Sequence, residues 1–374
     1  MNKILTVLPY KENYAKGYAA AASLWVNEFL KYSKFKRKNL IIGSTKHTAY
    51  LSNNYININL DESNKFSSTT KLYCNKIISF AEKKNFDIIE IHNRPTVYLY
   101  LKDFIKTKYI LYFHNDPQKM NGSKSLSDRV SLYNSVEKII FVSKWVQKRF
   151  FEGFESYNIK NTSVIYPSIS KPKKNKKKHK KIIFVGKLNK SKGYDLYVES
   201  VNKILEKHKK WEALSIGDER REEIIVKHKR HFNLGYLTHA KVLDYISKCE
   251  IAVVPSKWEE PFGRTALESS SRGCLTIMSG NGGLPETTDH GVILKELTVN
   301  ELYNKIDFYI SNPKSRKKIQ KLAFKNVKHL IKANSKLIDK IRDSLFGLNK
   351  LNFIKGKYRI LNIYNIGQKI NHRI

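Results

Sequence analysis

Short runs of apolar residues alternate along the chain with longer stretches in which apolar positions recur at helical spacing. Each run is long enough for one buried strand, and each longer stretch is typical of an amphipathic helix. Strands that alternate with helices predict an α/β fold, in which helices cover both faces of a parallel sheet. In the first half of the chain the predicted strands are 4–8, 39–42, 88–91, 109–113, 138–142 and 162–165, and the predicted helices are 18–34, 68–84, 95–107, 125–136 and 143–153.

The pattern stops at residues 171–180, which contain seven lysines and one proline as their least polar residue. Such a segment is predicted to be an exposed, self-repelling linker. A nucleic-acid-binding tail is the alternative, but the position of the segment between two patterned halves favours a linker. We therefore expect one Rossmann-like domain at 1–170 and a second at 181–345, followed by a basic tail at 346–374 that contains a helix or a hairpin-like end.

The second half repeats the strand and helix alternation of the first. Ligands of open parallel sheets bind beyond the carboxyl ends of the strands, so two such domains are expected to enclose a cleft between their sheets. The predicted strands of the second domain are 181–186, 212–216, the region around Phe232, 251–254 and 275–278, and its predicted helices are 193–208, 239–248, 263–272, 298–311 and 313–345.

Length and composition agree with two buried cores. The chain has 374 residues, of which 41% are hydrophobic and 12% aromatic, so most of it is expected to fold. Its three cysteines form no C-x-x-C pair, and no signal-peptide pattern precedes the first strand, which together predict the reducing cytoplasm. No apolar run approaches the roughly 18 residues that span a bilayer.

The net charge of +37 favours polyanionic partners such as nucleic acid, anionic lipid or nucleotide-linked substrates. Compositional drift is an equal alternative, because lysine, asparagine and isoleucine are abundant throughout the chain. The sequence has no helix-turn-helix, no zinc-ligand spacing and no aromatic platform for single strands, so no specific nucleic-acid partner is predicted.

A lysine-rich loop follows the first strand of the second domain. The loop runs from Gly186 through Lys187 and Lys192 to Gly193, where a helix is predicted to begin. Both ammonium groups are suited to bind a diphosphate through charge-assisted hydrogen bonds. Solvated lysines on an ordinary strand–helix loop are the alternative, and this segment alone does not decide between them.

The segment 254–268 is more specific, since it predicts a buried strand, a tight loop and a helix that opens just after Gly263. The backbone amides of Gly263, Arg264 and Thr265 are then unpaired and can face an anion. Glu268, about one turn inside the helix, is suited to accept two hydrogen bonds from a ribose diol, and Glu260 precedes the turn. Glutamates near a helix start also occur as capping residues, which is the alternative interpretation.

Three motifs together resemble the family-4 glycosyltransferases, a family that includes a bacterial branch associated with lipopolysaccharide and other surface glycans. They are Pro255-Ser-Lys-Trp-Glu-Glu-Pro-Phe-Gly-Arg-Thr-Ala-Leu-Glu268, Gly282-Gly-Leu-Pro-Glu286 and the upstream loop from Gly186 to Gly193. The resemblance covers about 110 residues of the second half. In the first half Glu90-Ile-His92-Asn-Arg-Pro95, Phe113-His114-Asn-Asp116 and Val142-Ser143-Lys-Trp145 also resemble that branch.

The resemblance implies a GT-B fold and a retaining transfer from a nucleotide-sugar donor to a glycan or lipid-linked acceptor. It implies that Glu260 supports the transferred sugar, that Glu268 holds the ribose, and that His114 approaches the sugar from the first domain. The diphosphate would be bound by Gly186, Lys187, Lys192 and the backbone of Phe262, Gly263, Arg264 and Thr265, the nucleobase by Gly235, Tyr236 and Leu237, and the acceptor by Gly17, His92, Asn93, Arg94, Asn115 and Asp116.

Two departures from the family pattern stand out. Lysine occupies position 187, where the family often has arginine. An ammonium group therefore replaces a guanidinium group that could bind phosphate through two parallel hydrogen bonds. The family's N-terminal glycine pair is reduced to Gly17. No D-x-D triplet occurs in the chain, so no cofactor and no essential divalent metal are expected. A nucleotide-sugar epimerase or a catalytically silent relative of the same fold is the alternative function.

Aromatic and basic residues alternate at helical spacing in residues 22–38. One interpretation is that this end, together with residues 350–374, rests peripherally on anionic lipid at the inner face of the cytoplasmic membrane. The equal alternative is a core helix whose last turn is solvated.

Overall fold

Two parallel sheets organise the protein, whose computed structural model describes residues 3–347 other than 11, 61–67, 173–176 and 220. The first sheet has seven strands in the order β3-β2-β1-β4-β5-β6-β7, and every pairing in it is parallel. Its strands are Ile4–Val7 (β1), Asn39–Gly43 (β2), Tyr55–Asn57 (β3), Ile88–His92 (β4), Lys108–Phe113 (β5), Lys138–Phe141 (β6) and Thr162–Val164 (β7).

Helices cover both faces of this sheet because its central strands are apolar on both sides. Leu5 faces a core formed with the helices that follow β3, β4 and β6, whereas Ile4 faces a second core that contains Trp25 and Phe29 of the first helix. The helices of this domain are Ala21–Tyr32 (α1), Thr69–Glu82 (α2), Pro95–Phe104 (α3), Leu126–Ser135 (α4) and Lys144–Phe151 (α5).

The second sheet has six parallel strands in the order β10-β9-β8-β11-β12-β13. Its strands are His179–Val185 (β8), Glu212–Ile216 (β9), His231–Asn233 (β10), Cys249–Val254 (β11), Leu275–Met278 (β12) and Val292–Ile293 (β13). Its helices are Tyr194–Lys207 (α6), His239–Lys248 (α7), Arg264–Ser271 (α8), Val299–Ser311 (α9) and Pro313–Lys325 (α10).

One sequence prediction is wrong, because residues 313–345 do not form a single helix. Helix α10 ends at Lys325, and a second helix covers residues 331–347. This C-terminal helix returns to the first domain, where Ile331 and Ile338 join the core around α1. The cause is a short irregular stretch in which Leu330 pairs with Ile169 and redirects the chain.

A buried ion pair fixes the C-terminal helix on the first sheet. Arg342 donates to both carboxylate oxygens of Glu90 at 2.8 and 2.7 Å, and it also binds Ser33 and Asp339. The Glu90 side chain is only 2% exposed and also accepts from Thr6. A buried charge is tolerated only with such complete pairing, so the position of this helix is strongly specified.

The predicted linker and tail lie partly outside the described residues. Residues 173–176 of the 171–180 linker and residues 348–374 of the tail fall there, and strand β8 begins at His179, within the predicted linker. The short strands β3 and β13 were missed by the sequence analysis, because three and two residues are too few to give a recognisable apolar pattern.

The aromatic residues of segment 22–38 lie mostly in the core. Trp25, Phe29 and Phe35 are each at most 5% exposed, whereas Tyr32 and the basic residues of 34–38 reach the surface. This burial agrees with the core-helix interpretation, and lipid contact through this end stays a prediction. In the part of the chain that the structure describes, no helix is both long enough and apolar enough to cross a bilayer.

Candidate active site

A cleft of about 320 Å³ lies between the carboxyl ends of the two sheets. It receives side chains and backbone from both domains, as parallel sheets with facing strand ends require. The first domain contributes Glu12, Ala21, Ala22, Trp25, Asn93, His114, Asn115 and Val142, and the second contributes Phe184, Val185, Gly186, Lys192, Val254, Ser256 and the segment 260–265, with Pro167 between them.

The loop after β11 points the start of helix α8 into this cleft. Gly263 has a φ of 102°, and a Cβ atom there would lie 2.3 Å from Leu284, so only glycine fits. Among the described residues no side chain caps this helix, and the first amides of α8 have no carbonyl of their own helix to bind. The Gly263–Thr265 backbone therefore presents free donors to the cleft, as the sequence predicted.

Glu260 is fixed beside those donors by the glycine-rich segment that follows β12. Its backbone pairs with Gly282, and a Cβ atom at Gly282 would lie 2.2 Å from the Glu260 carbonyl oxygen. Its side chain accepts hydrogen bonds from Lys192 Nζ at 2.5 Å and from Ser256 Oγ at 3.0 Å. The structure therefore brings the predicted residues Lys192 and Glu260 together as an ion pair at the cleft wall.

Of the two lysines predicted to bind the diphosphate, Lys192 lines the cleft and Lys187 does not. Asn189 accepts a hydrogen bond from the Lys192 amide, and this turn directs the Lys192 side chain inwards. Lys187 is exposed and is not among the residues that line the cleft, although its neighbour Gly186 is. A role for Lys187 in diphosphate binding stays a prediction.

Glu268 lies in a charged cluster at the edge of the cleft. Its Oε1 accepts from His239 Nε2 and Arg264 Nε, both at 2.8 Å, while Arg264 also donates to Glu28 of the first domain at 2.7 Å. Burial opposes ionisation of Glu268, but Arg264 and His239 lower its pKa to about 2. Glu268 is thus a permanent carboxylate, and it lines a second cavity of about 240 Å³ that adjoins the cleft at Arg264.

His114 enters the cleft from the end of β5, as the sequence predicted. Its Nε2 lies 2.9 Å from Nδ1 of His92, and Trp25 packs edge-on against its ring at 5.4 Å. Burial lowers the pKa of His114 to about 3, so the ring is uncharged at neutral pH. A neutral imidazole can hydrogen-bond a sugar hydroxyl, but it supplies no charge.

Only some of the residues predicted for the acceptor side line a cavity. Asn93 and Asn115 line the cleft and also a third cavity of about 390 Å³, which Arg94 lines as well. His92 is buried behind His114. Asp116 is 4% exposed and pairs with Arg149 at 3.3 Å, so its side chain holds α5 instead of lining a cavity.

The segment predicted to bind the nucleobase forms a contact between the domains. Tyr236 is 61% exposed and donates from its hydroxyl to the carbonyl oxygen of Gly17 at 2.5 Å. Gly17 and Gly235 both have positive φ, which gives each loop its turn. Neither Gly235 nor Leu237 lines the three cavities described here.

Two residues that contribute to the cleft were missed from the sequence. Glu12 follows β1 and lines both the cleft and the third cavity, and Trp25 forms the wall behind His114. An acid directly after the first predicted strand could have indicated Glu12. The sequence pattern does not distinguish Trp25 from the other core residues of its helix.

The motif Gly282-Gly-Leu-Pro-Glu286 of the second domain also contacts the first domain. Glu286 accepts hydrogen bonds from the backbone amides of Lys144 and Trp145, both at 2.8 Å. The neighbouring residue Ser143 forms another contact between the domains, because its Oγ donates to the carbonyl oxygen of Pro261 at 2.6 Å. Within the described ranges, no group of three or more His, Cys, Asp or Glu residues is arranged to hold a metal ion.

Comparison with known proteins finds a similarity that is centred on the second domain. Residues 166–326 match the family described as glycosyl transferases group 1. Over 241 residues the chain is 27% identical to the putative glycosyltransferase YtcC of Bacillus subtilis, which covers 56% of this chain and 59% of YtcC. The chain spans about half the length of the curated relatives it matches.

Solved structures share the whole architecture. Anabaena Alr3699/HepE, in a complex with UDP and glucose, matches with a TM-score of 0.72 and 15% identity over 92% of this chain and 100% of that one. Sucrose-phosphate synthase from Thermosynechococcus elongatus matches with a TM-score of 0.73 and 15% identity over 93% and 100%. The fold is therefore GT-B, and residues 166–326 are similar to the glycosyl transferases group 1.

Proposed function

We propose that the protein is a retaining, metal-independent glycosyltransferase that moves a hexose or related sugar from a nucleotide-sugar donor to a glycan or lipid-linked acceptor. The observation that carries the proposal is the convergence of Lys192, Glu260 and the open start of α8 on one cleft that His114 enters from the other side. This set fits a reaction in which a diphosphate departs from a sugar.

Two opposite charges develop when the donor reacts, and the cleft has a group for each. Negative charge grows on the diphosphate, which the Gly263–Thr265 amides and the Lys192 ammonium are suited to bind. Positive charge grows at the anomeric carbon, near which the Glu260 carboxylate would lie. The Lys192–Glu260 ion pair holds both side chains at the cleft wall, and a bound donor would separate them, with Lys192 at its diphosphate and Glu260 at its sugar.

The transfer is proposed to occur on one face of the sugar. The bond from the anomeric carbon to the diphosphate oxygen breaks, and both electrons go to the diphosphate. The acceptor oxygen bonds to the same face, and its proton passes to the departing phosphate oxygen. Neutral His114 would hydrogen-bond a hydroxyl of the transferred sugar, and the permanent Glu268 carboxylate would accept from the ribose.

A nucleotide-sugar donor is also supported by the ligands of a structural neighbour, since HepE holds UDP and glucose or UDP-glucose. We assign this chain to the synthesis of lipopolysaccharide or another surface polysaccharide, in the cytoplasm or peripherally at the inner face of the membrane. The exposed basic residues of 34–38 would provide any contact with anionic lipid.

The test is a thermal-shift screen of the full chain with UDP-, GDP- and ADP-sugars, followed by product analysis. A donor present at a hundred times its dissociation constant stabilises the fold by about 2.7 kcal/mol. NMR of the product then reports the anomeric configuration. A product with inverted configuration would reject retention, and a freed epimer of the donor sugar would identify an epimerase instead.

Glu260→Gln is the decisive variant, and Glu155→Gln is its control, because Glu155 is exposed and lines none of the three cavities described above. We expect Glu260→Gln to lower kcat by a factor of roughly 100 or more, as loss of a charge-stabilising group does. Equal turnover by Glu260→Gln and the wild type would refute the proposed role of this carboxylate.

A further inference from the structure

The third cavity adjoins the cleft. It holds about 390 Å³ and lies in the first domain, beside the start of α3. It shares Glu12, Asn93 and Asn115 with the cleft, so the two spaces meet at these side chains. A molecule in this cavity would reach the donor sugar only past Glu12 and the two asparagines.

An unpaired cation lines this cavity. The guanidinium of Arg94 lies 5.0 Å from the centre of the Tyr10 ring, and its Nε is buried without a hydrogen-bond partner. No described carboxylate lies within ion-pair distance of Arg94, whereas Arg149, Arg264 and Arg342 each pair with one. A buried donor without a partner costs free energy, and an anion bound to Arg94 would remove that cost.

Two further features make the same wall positive. Pro95 and Thr96 of the cavity lining form the first turn of α3, a helix of ten residues whose start has no side-chain cap. Lys119 also lines the cavity, and its ammonium group lies 3.5 Å from Glu259 of the second domain and 3.9 Å from Asp116. The described lining therefore carries two cations and a helix start against one acid, Glu12.

Glu12 faces both spaces with one free oxygen. The backbone amides of Ala22 and Ser23, at the start of α1, hydrogen-bond its carboxylate and hold it in place. Its Oε2 is buried and has no partner in the described structure. Burial raises the pKa of this carboxyl to about 7, with the two amides and Arg94 acting in the opposite direction. Such a group is suited to accept a hydrogen bond from a ligand hydroxyl.

We propose that this cavity binds an acceptor whose hydroxylated ring is attached to a phosphate group, with the phosphate on Arg94 and the start of α3 and a ring hydroxyl on Glu12. The inference rests on the proposed function and names its acceptor class. A soluble sugar phosphate and a lipid-linked sugar phosphate share this chemistry. Glu12 binds and orients the hydroxyl, while the departing diphosphate takes the proton.

The test first saturates the donor site of the full chain with UDP and then titrates three probes. These are inorganic phosphate, glucose 6-phosphate, and a polyprenyl phosphate that carries glucose on its phosphate, in phosphatidylcholine vesicles. Binding is followed by calorimetry for the soluble probes and by co-sedimentation for the vesicles. The variants are Arg94→Gln and Glu12→Gln, with Arg221→Gln as the control on an exposed arginine.

We expect inorganic phosphate to bind the wild type and the control equally, and Arg94→Gln at least tenfold more weakly, while Glu12→Gln binds it unchanged. A preference for glucose 6-phosphate over the vesicles assigns a soluble acceptor, and the reverse assigns a lipid-linked one. Phosphate affinity that Arg94→Gln leaves unchanged, or no phosphate binding at all, would overturn the proposal.

Two further measurements distinguish failure of this proposal from misfolding of a variant and from failure of the donor assignment. Lys119→Gln is expected to weaken phosphate binding several-fold, so the proposal remains testable if Arg94→Gln does not fold. UDP affinity is measured separately in every variant. If UDP binds and phosphate does not, only the acceptor assignment fails; if no nucleoside diphosphate binds, the donor assignment fails instead.

Discussion

Glu286 of the second domain completes the start of a helix in the first, because its carboxylate accepts the backbone N–H of Trp145 at 2.8 Å. The neighbouring amide of Lys144 binds the other carboxylate oxygen. Ser143 already caps this helix from within by accepting from Val146. The domain-closed arrangement therefore satisfies amides that separation of the domains would expose.

Replacement of Glu286 by alanine should weaken this closed arrangement. Each hydrogen bond to a charged group contributes about 1.5–3 kcal/mol, so the ligand-free variant should populate more open states. Small-angle X-ray scattering should report a larger radius of gyration for Glu286→Ala, while Glu155→Ala behaves as the wild type. Superimposable scattering curves for all three proteins would show that Glu286 does not hold the domains.

Arg342→Met should destabilise the first domain strongly, since it leaves Glu90 buried without its partner. Removal of one member of a buried ion pair costs about 3–5 kcal/mol. A second change, Glu90→Gln in the same chain, should recover part of that loss. Urea denaturation followed by circular dichroism measures both, with Arg37→Met as the exposed control. A midpoint for Arg342→Met equal to that of the control would disprove the docking of helix 331–347 on this sheet.

Glu12 should make stability depend on pH in a defined direction. Its pKa is about 7 in the folded state against 4.5 when exposed, so the folded state binds a proton that the unfolded state has lost between these values. The stability that neutral Glu12 provides is complete below pH 4.5 and lost as the pH rises through 7. Glu12→Gln should therefore gain stability relative to the wild type at high pH, on the order of 2–3 kcal/mol.

Thermal melts at pH 5 and pH 8.5 check this prediction, with Glu155→Gln as the control for pH effects elsewhere in the chain. The gain in melting temperature should be larger at pH 8.5 than at pH 5 for Glu12→Gln, and should be absent for the control. An identical difference at both pH values would mean that Glu12 ionises as an ordinary exposed acid.

Turnover should continue in excess chelator, because Lys192 and the α8 amides are proposed to neutralise the diphosphate without a divalent ion. Initial rates are measured with and without EDTA after removal of bound metals, once a donor has been found. Rates within a factor of two of each other are expected. Activity that vanishes in EDTA and returns only with manganese would contradict the metal-independent mechanism.

The sequence predicted the two-domain fold well because long apolar strands leave a clear pattern. Strand β11 was placed to within two residues and the helix that opens at Arg264 to within one, since Gly263 marks the start of that helix. The return of helix 331–347 to the first domain was not predictable, because it depends on the long-range pair of Arg342 and Glu90.

The site was predicted less completely than the fold. Lys192, Glu260 and the Gly263–Thr265 backbone all line the cleft, since each lies at a strand end or a helix start that the pattern fixes. Asp116 was misassigned to the cleft surroundings because its buried partner Arg149 is distant in sequence. Glu12 was missed, because its importance comes from burial and from a shared wall between two cavities.

The most direct test of the account is calorimetric titration of the wild type, Lys192→Ala and Lys203→Ala with the nucleoside diphosphate of the donor found in the screen. Lys203 lies exposed on α6 and serves as the matched control. We predict that Lys192→Ala binds the diphosphate at least tenfold more weakly, while Lys203→Ala binds it as the wild type does. Equal affinity in all three proteins, or no heat with UDP, GDP or ADP, would contradict a diphosphate site at the start of α8.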